Sequence, residues 1–210
     1  MEQKNIVFHE GKVDKVARQT LNRHRSALIW FTGLPASGKS TIANELEYML
    51  HAKQIRTFVL DGDNIRHGLN KGLGFSEEDR RENLRRVGEV SKLFVHAGVL
   101  TMAAFVSPYR YDRQAIRSLL DEGEFIEVYL KCDLSVCETR DPKGLYKKAR
   151  KGEIPNFTGI SDPYEPPENP ELVIETDKLT IEESLQVILE YMNETSLLHN
   201  IFSSSSNAAK

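Results

Sequence analysis

The sequence predicts an α/β fold of three layers, a mainly parallel sheet covered by helices on both faces. Three observations predict it. Short apolar runs bounded by turn residues recur at 27–31, 57–60, 99–106, 125–130 and 172–174 and read as buried strands. Stretches with helical spacing of apolar residues separate them, the pattern of strands joined by crossover helices. The chain has 210 residues, 40% hydrophobic and 28% charged, enough for one domain with a sizeable core.

Residues 1–26 are polar and basic, end in Arg23-His24-Arg25, and are expected to form a peripheral arm with some helix. The first strand runs straight into Gly33-Leu34-Pro35-Ala36-Ser37-Gly38-Lys39-Ser40, which fits the phosphate-cradling pattern G-x-x-x-x-G-K-[ST]. Behind it, 41–51 carries Ile42, Leu46, Met49 and Leu50 at helical spacing, so the motif has the strand and helix it needs. Gly33 and Gly38 let the backbone approach a phosphate closely. The helix N-terminus favours an anion. Lys39 adds a charge for the β- and γ-phosphates, and Ser40 offers a hydroxyl to Mg²⁺. The fold class is therefore a P-loop NTPase; the alternative is a chance match in an ordinary strand–turn–helix.

The second strand ends at Asp61-Gly62-Asp63, and Gly68, Gly72 and Gly74 punctuate the loop beyond. Ser76 with Asp79 resembles a capping box for a helix to about residue 97, with Leu84, Val87, Ser91, Phe94 and Val95 on one face. The third strand leads to Ser107-Pro108-Tyr109-Arg110 and a helix over 111–120 with Ile116, Leu119 and Leu120 inward. Asp133 is placed to cap a helix over 134–140, and a basic helix follows at 145–151. Five of the eight prolines fall in 152–170, a long irregular loop of the kind that forms lids. Thr180 and Glu183 form a T-x-x-E capping box for the last helix. The main domain is expected over 27–194, its lid over about 145–170, and a disordered tail over 195–210.

Ligands of such sheets bind at the carboxyl ends of the strands, which makes those ends the informative positions. Asp61 there can bind Mg²⁺ or a water on it, or take a proton from a hydroxyl; otherwise it makes an Asx turn. Arg66, Arg80, Arg81, Arg85 and Arg86 crowd the next segment, and arginine matches phosphate and sulfate oxygens in pairs. Arg80 and Asn83 share a face, whereas Arg81 and Arg85 read as surface. Phe75 and Phe157 lie in polar loops, where they either stack on a base or anchor the loops.

The blocks Leu60-Asp61-Gly62-Asp63-Asn64-Ile65-Arg66-His67-Gly68-Leu69, Glu78-Asp79-Arg80-Arg81-Glu82-Asn83, Ser107-Pro108-Tyr109-Arg110, Arg140-Asp141-Pro142-Lys143-Gly144-Leu145-Tyr146 and Asn156-Phe157-Thr158-Gly159-Ile160 occur in this order. In them the chain resembles the adenylylsulfate kinases, over nearly its whole length. The resemblance implies phosphorylation of the 3′-hydroxyl of adenylylsulfate by ATP with Mg²⁺, in sulfate assimilation. It implies that Gly33, Leu34, Pro35, Ala36, Ser37, Gly38, Lys39, Ser40 and Thr41 hold ATP and Mg²⁺, with Arg140 by the ATP adenine. It places Asp63, Arg66, Arg80 and Asn83 on adenylylsulfate, Phe75 and Phe157 around its adenine, and Lys147 and Lys148 at the start of the lid. Ser107 matches a serine described as phosphorylated in the family, so it is either a covalent intermediate or a positioning group. A homodimer and a functional link to an ATP sulfurylase are further implications. Two departures stand out: many members have an extra glycine where this loop reads Pro35-Ala36, and Pro155 stands where a basic or polar residue is common.

Other classes fit less well. A net charge of −3, with acidic residues among the arginines, gives no field for nucleic acid. No apolar run is long enough to span a membrane, and no signal region follows Met1, so a cytoplasmic enzyme is expected. Cys132 and Cys137 have no partner at zinc-site spacing and are expected to be free thiols. A GTPase switch would need N-K-x-D, but Asn70-Lys71 continues Gly72-Leu73. A kinase for another small hydroxyl acceptor and a non-catalytic nucleotide-dependent switch remain the alternatives.

Overall fold

A computed structural model describes residues 7, 9 and 11–198. Its sheet has five strands in the order β2-β3-β1-β4-β5, and every pairing is parallel. The strands are β1 (Leu28–Thr32), β2 (Thr57–Asp61), β3 (Leu100–Ala104), β4 (Phe125–Lys131) and β5 (Leu172–Glu175). Around them lie α1 (Lys15–Asn22), α2 (Lys39–Ala52), α3 (Gly62–His67), α4 (Glu77–His96), α5 (Arg110–Arg117), α6 (Leu134–Arg140), α7 (Leu145–Arg150) and α8 (Ile181–Glu194).

β1 explains why its sequence is apolar without alternation. Ile29 and Phe31 face a core built with Ile42, Leu46 and Leu50 of α2 and Leu185 and Ile188 of α8. Leu28 and Trp30 face a second core built with Leu84 and Val87 of α4 and Ile116 of α5. A strand covered on both faces has no polar side. Where α4 meets α5 the space is small: a Cβ on Gly88 would lie 3.0 Å from Ile116.

The topology places the site. After β1 the chain goes out to β2, returns to β3 beside β1, and then crosses to β4 and β5. The helix after β1 packs on one face and the helix after β3 on the other. The loops leaving β1 and β3 therefore diverge and leave a crevice at the carboxyl end of the sheet.

Local signals mostly act as their chemistry suggests. The Ser76 hydroxyl accepts from the Asp79 amide at 3.1 Å, and Thr180 and Glu183 complete a reciprocal capping box. Other details differ from expectation. Asp133 stands at the N-cap of α6 without a side-chain hydrogen bond; its carbonyl, not its carboxylate, receives Cys137 N. α5 ends at Arg117; Asp112, Arg113 and Ile116 form its buried face, and Leu120 packs on the second core just beyond its end. The arm is built in at its end: His24 is buried, and its Nε2 accepts the Arg56 amide at 3.1 Å. The tail expected from 195 is ordered at its start. Leu197 and Leu198 are buried in the α2–α8 core, and the Leu197 carbonyl accepts Arg25 N, since two leucines have more to gain in that core than in water. The rest of the expected tail lies outside the described residues.

Candidate active site

The loop between β1 and α2 has the backbone its motif requires. Gly33 has φ 152°, and a Cβ there would lie 2.6 Å from the Leu130 carbonyl oxygen. Gly38, with φ 96°, caps α2 in a left-handed conformation. Ala36 also has positive φ, 61°, in the stretch where the resemblance noted above would allow an extra glycine. A non-glycine residue there costs on the order of 1–3 kcal/mol, so the loop carries strain.

Lys39 lies inside the loop, 9% exposed. Its ammonium donates to the carbonyls of Gly33 at 2.9 Å and Leu34 at 2.7 Å, and to Ser37 Oγ at 3.4 Å. Burial without a contacting carboxylate pushes its pKa from 10.5 down to about 8, partly opposed by nearby groups that include Asp61. The ammonium is thus held where anionic oxygens would replace carbonyls.

Ser40 and Asp61 meet across the crevice, Ser40 Oγ donating to Asp61 Oδ2 at 2.6 Å. Asp61 Oδ1 accepts the Asp63 amide at 3.0 Å, so the same carboxylate caps α3 and makes the Asx turn. Among the described residues, no group of three or more His, Cys, Asp or Glu could hold a metal alone. A hydroxyl beside one carboxylate fits Mg²⁺, which takes few protein oxygens and completes its shell with water and phosphate.

Ser107 is 2% exposed at the end of β3, with φ 39°. Its hydroxyl accepts Trp30 Nε1 at 3.0 Å and donates to Thr32 Oγ1 at 3.0 Å. Thr32 in turn donates to the Val106 carbonyl and meets the Tyr164 hydroxyl. No carboxylate or imidazole contacts Ser107 Oγ. It is wedged into a polar relay beneath the crevice, as a positioning group would be.

The residues expected on the acceptor, Asp63, Arg66, Phe75, Arg80 and Asn83, lie on α3, α4 and the loop between them. Arg66 donates to the carbonyls of Leu73 and Gly74, with its guanidinium 4.4 Å from the Phe75 ring centre. Phe75 itself is 67% exposed. Arg80 leaves α4 to grip the lid, through the Asn156 carbonyl, Thr158 Oγ1 at 3.2 Å and Asp162 at 3.5 Å. Asn83 is buried and accepts Asn70 Nδ2 at 2.9 Å, so it and Arg80 hold different neighbours despite their shared face. Asp63 pairs with Lys143.

Phe157 takes the anchoring alternative in this conformation. It is 8% exposed and packs edge-on to Tyr146 in a cluster with Cys132, Cys137 and Ala149. Both cysteines are free and buried, and burial pushes the Cys137 thiol up to about 12. Arg140 donates to the Thr176 carbonyl at 2.5 Å, and Thr176 donates to the Ser37 carbonyl, which puts Arg140 beside the phosphate loop. Arg81 and Arg85 are exposed, paired with Glu77 and Glu82, as surface residues would be, while the partly buried Arg86 also reaches Glu82. Beyond the lid turn, Leu34, Tyr129, Ile160, Asp162 and Tyr164 line an open cavity of about 510 Å³.

Sequence reasoning left Lys143 without a role although it sits in a quoted block. It also missed Trp30, Thr32 and Tyr164, whose polar atoms give no pattern in a strand or a proline-rich loop.

The lysine yields a test. A bound triphosphate favours charged Lys39, so binding at pH 9 should take up to about one proton per site, and far less at pH 7. Calorimetry of an ATP analogue in two buffers of different ionisation enthalpy reads this directly. Equal uptake at both pH values would contradict the lowered pKa.

A profile described as adenylylsulphate kinase matches residues 25–175. A Halalkalibacterium halodurans protein described as a probable adenylyl-sulfate kinase is 62% identical over 191 residues, covering 91% of this chain and 95% of its own length. The adenylyl-sulfate kinase of Staphylococcus epidermidis is 59% identical, covering 92% and 97%. An APS kinase of Mycobacterium tuberculosis, solved in complex with AMPPNP and APS, is 45% identical with a TM-score of 0.77, covering 81% of this chain and 99% of that one. At 16% identity and a TM-score of 0.53, a gluconokinase from Sinorhizobium meliloti shares the fold alone. With its phosphate loop, its crevice and relatives of this identity across nine-tenths of its length, the chain belongs to the adenylylsulphate kinase family.

Proposed function

We infer that the protein transfers the γ-phosphoryl group of ATP to the 3′-hydroxyl of adenylylsulfate, giving 3′-phosphoadenylylsulfate and ADP. The observation that carries this is the Ser40–Asp61 contact, which sets the phosphate loop and its Lys39 against the start of α3 with Asp63 and Arg66, followed by Arg80 and Asn83 of α4. One side suits a triphosphate and the other a small anionic nucleotide.

The bond that forms joins the acceptor oxygen to the γ-phosphorus; the bonds that break join that phosphorus to the β,γ-bridging oxygen and the acceptor oxygen to its proton, which is released to water. Such transfers need positioning and charge neutralisation more than covalent help. The amides at the start of α2 and Lys39 hold the phosphates. Ser40 and Asp61 would hold Mg²⁺, which supplies charge neutralisation at the β- and γ-phosphates. Both oxygens of Asp61 are already engaged, by Ser40 and by the Asp63 amide, which favours a metal-holding role over that of a base. Arg66 and Arg80 can each offer a planar fork to a phosphate or sulfate. Phe75, exposed beside Arg66, is available to stack on the acceptor's base. Ser107 sets the floor of the site.

Among the described residues no helix is long and apolar enough to cross a membrane. Within this reading the protein is a cytoplasmic homodimer that takes adenylylsulfate from an ATP sulfurylase. A monomeric mass by light scattering at working concentration would remove the dimer.

ADP release measured across adenylylsulfate, AMP, shikimate and gluconate tests the reaction. Faster release with shikimate or gluconate than with adenylylsulfate would reassign the acceptor.

Arg80→Ala should raise KM for adenylylsulfate by at least about tenfold, one charge-assisted contact's worth, with little change in KM for ATP. Arg85→Ala, remote from the lid, should be nearly silent. Equal effects of Arg80→Ala on both substrates would move Arg80 out of the acceptor site.

Ser107→Ala should keep measurable turnover, down about tenfold, and lose about 1–3 kcal/mol of stability because Trp30 Nε1 is left unpaired. Urea denaturation and steady-state rates read the two effects. A phosphoserine trapped at residue 107 in the wild type, with complete loss in a folded Ser107→Ala, would mean a covalent intermediate instead.

A further inference from the structure

The turn after β3 and the limb around Glu165 are held by one deeply buried side chain. Arg113, in the second turn of α5, is 2% exposed. Its Nη1 donates to the Ser107 carbonyl at 2.5 Å, its Nε to Glu127 Oε1 at 2.6 Å, and its Nη2 to the Glu165 carbonyl at 2.8 Å. Its guanidinium carbon lies 5.8 Å from the centre of the Tyr164 ring. One side chain thus joins the turn after β3, the middle of β4 and the far limb of the lid.

Each contact falls on something that needs holding. Ser107 has positive φ and precedes Pro108, so its conformation does not maintain itself. The lid limb is stitched to the same turn: Glu165 N donates to the Pro108 carbonyl, and the Glu165 carboxylate accepts Arg110 N. Tyr164 closes the circuit through Thr32, which borders the phosphate loop. Glu127 fixes the guanidinium, and Glu171 fixes Glu127 by accepting its amide while paired with Arg117.

We propose that Arg113, oriented by Glu127, is a positioning residue for phosphoryl transfer: its fork sets the Ser107 turn and the Tyr164–Glu165 limb relative to the phosphate loop. It fixes the height at which the acceptor hydroxyl meets the γ-phosphate. A small misplacement there is costly in rate, because in-line transfer depends on a near-attack geometry. Lysine cannot reproduce the fork, since three separate acceptors lie in the guanidinium plane's reach and an ammonium is a point charge. The proposal rests on the kinase reading above.

The test compares four variants with the wild type, reading kcat at saturating ATP and adenylylsulfate and KM by varying ATP. Arg113→Lys should lower kcat at least about tenfold, and Glu127→Gln, which keeps the shape, by a smaller factor. Both should leave KM for ATP within about twofold, the signature of an interaction used in the transfer step. The double variant should lose little more than Arg113→Lys alone, because the two residues act as one unit. Leu197→Ala is the stability control: it opens the core at the opposite end of β1, beside Arg25, and should lower Tm without lowering kcat. Unchanged kcat in folded Glu127→Gln, or losses in kcat no larger than that of Leu197→Ala at matched Tm, would overturn the proposal. If Arg113→Lys does not fold, Glu127→Gln decides alone. If the wild type prefers another acceptor, the reaction assigned above fails, while the ratio of variant to wild type on that acceptor still tests Arg113.

Discussion

A lysine ammonium buried among uncharged groups is the interaction on which the rest of the structure depends. Lys39 donates to two carbonyls and a hydroxyl of its own loop. Removing a cation from water without a counter-charge is expensive, and the lowered pKa records the cost. The expense is tolerable because the loop cannot collapse away: Gly33 is pressed against β4, and Ser37 is tied to Thr176. A triphosphate bound there would replace weak dipoles with full charges.

The sheet order makes that arrangement useful. β3 lies beside β1, so the Ser107 turn stands next to the phosphate loop, and the two following helices leave on opposite faces. The segment expected as a lid is held in two places. Arg80 of α4 holds the turn at 156–162, while Arg110 and Arg113 of α5 hold the limb around 165. These contacts differ in exposure. Arg113 is deeply buried against a carboxylate, whereas Arg80 is half-buried and bonds mainly to neutral oxygens, so the turn is the part that yields at lower cost.

Much of this was legible in the sequence, for physical reasons. The strands could be read because burial on both faces demands continuous apolar runs, and the phosphate loop because two glycines and a lysine have few other reasons to stand at that spacing. The acidic and basic residues at strand ends were legible from the topology rule alone. What was not legible depends on contacts distant in sequence. Trp30 reads as a core residue, yet its indole N–H holds Ser107. Arg113 and Glu127 read as one more arginine and one more glutamate, and only folding brings them together. Phe157 in a polar loop gave no hint that Tyr146 waits beneath it. Leu197 and Leu198 were lost in a serine-rich tail whose composition concealed them.

The acceptor-side charges follow the same economy as Lys39. Arg66 is satisfied by two carbonyls and Arg80 by two carbonyls, a hydroxyl and a longer, partly exposed contact with Asp162, while Asp63 leans on Lys143 in solvent. None of these contacts is a deeply buried, fully matched ion pair. A matched pair would have to be broken by an incoming anion at a cost of several kcal/mol, about 3–5 by the usual measure of buried pairs. A carbonyl contact is worth only about 1 kcal/mol net. Among the described residues around the phosphate loop, Arg113 and Glu127 form a strongly buried pair that holds the scaffold. Arg66 and Arg80 rest mainly on neutral oxygens, partners that an anion would displace at lower cost.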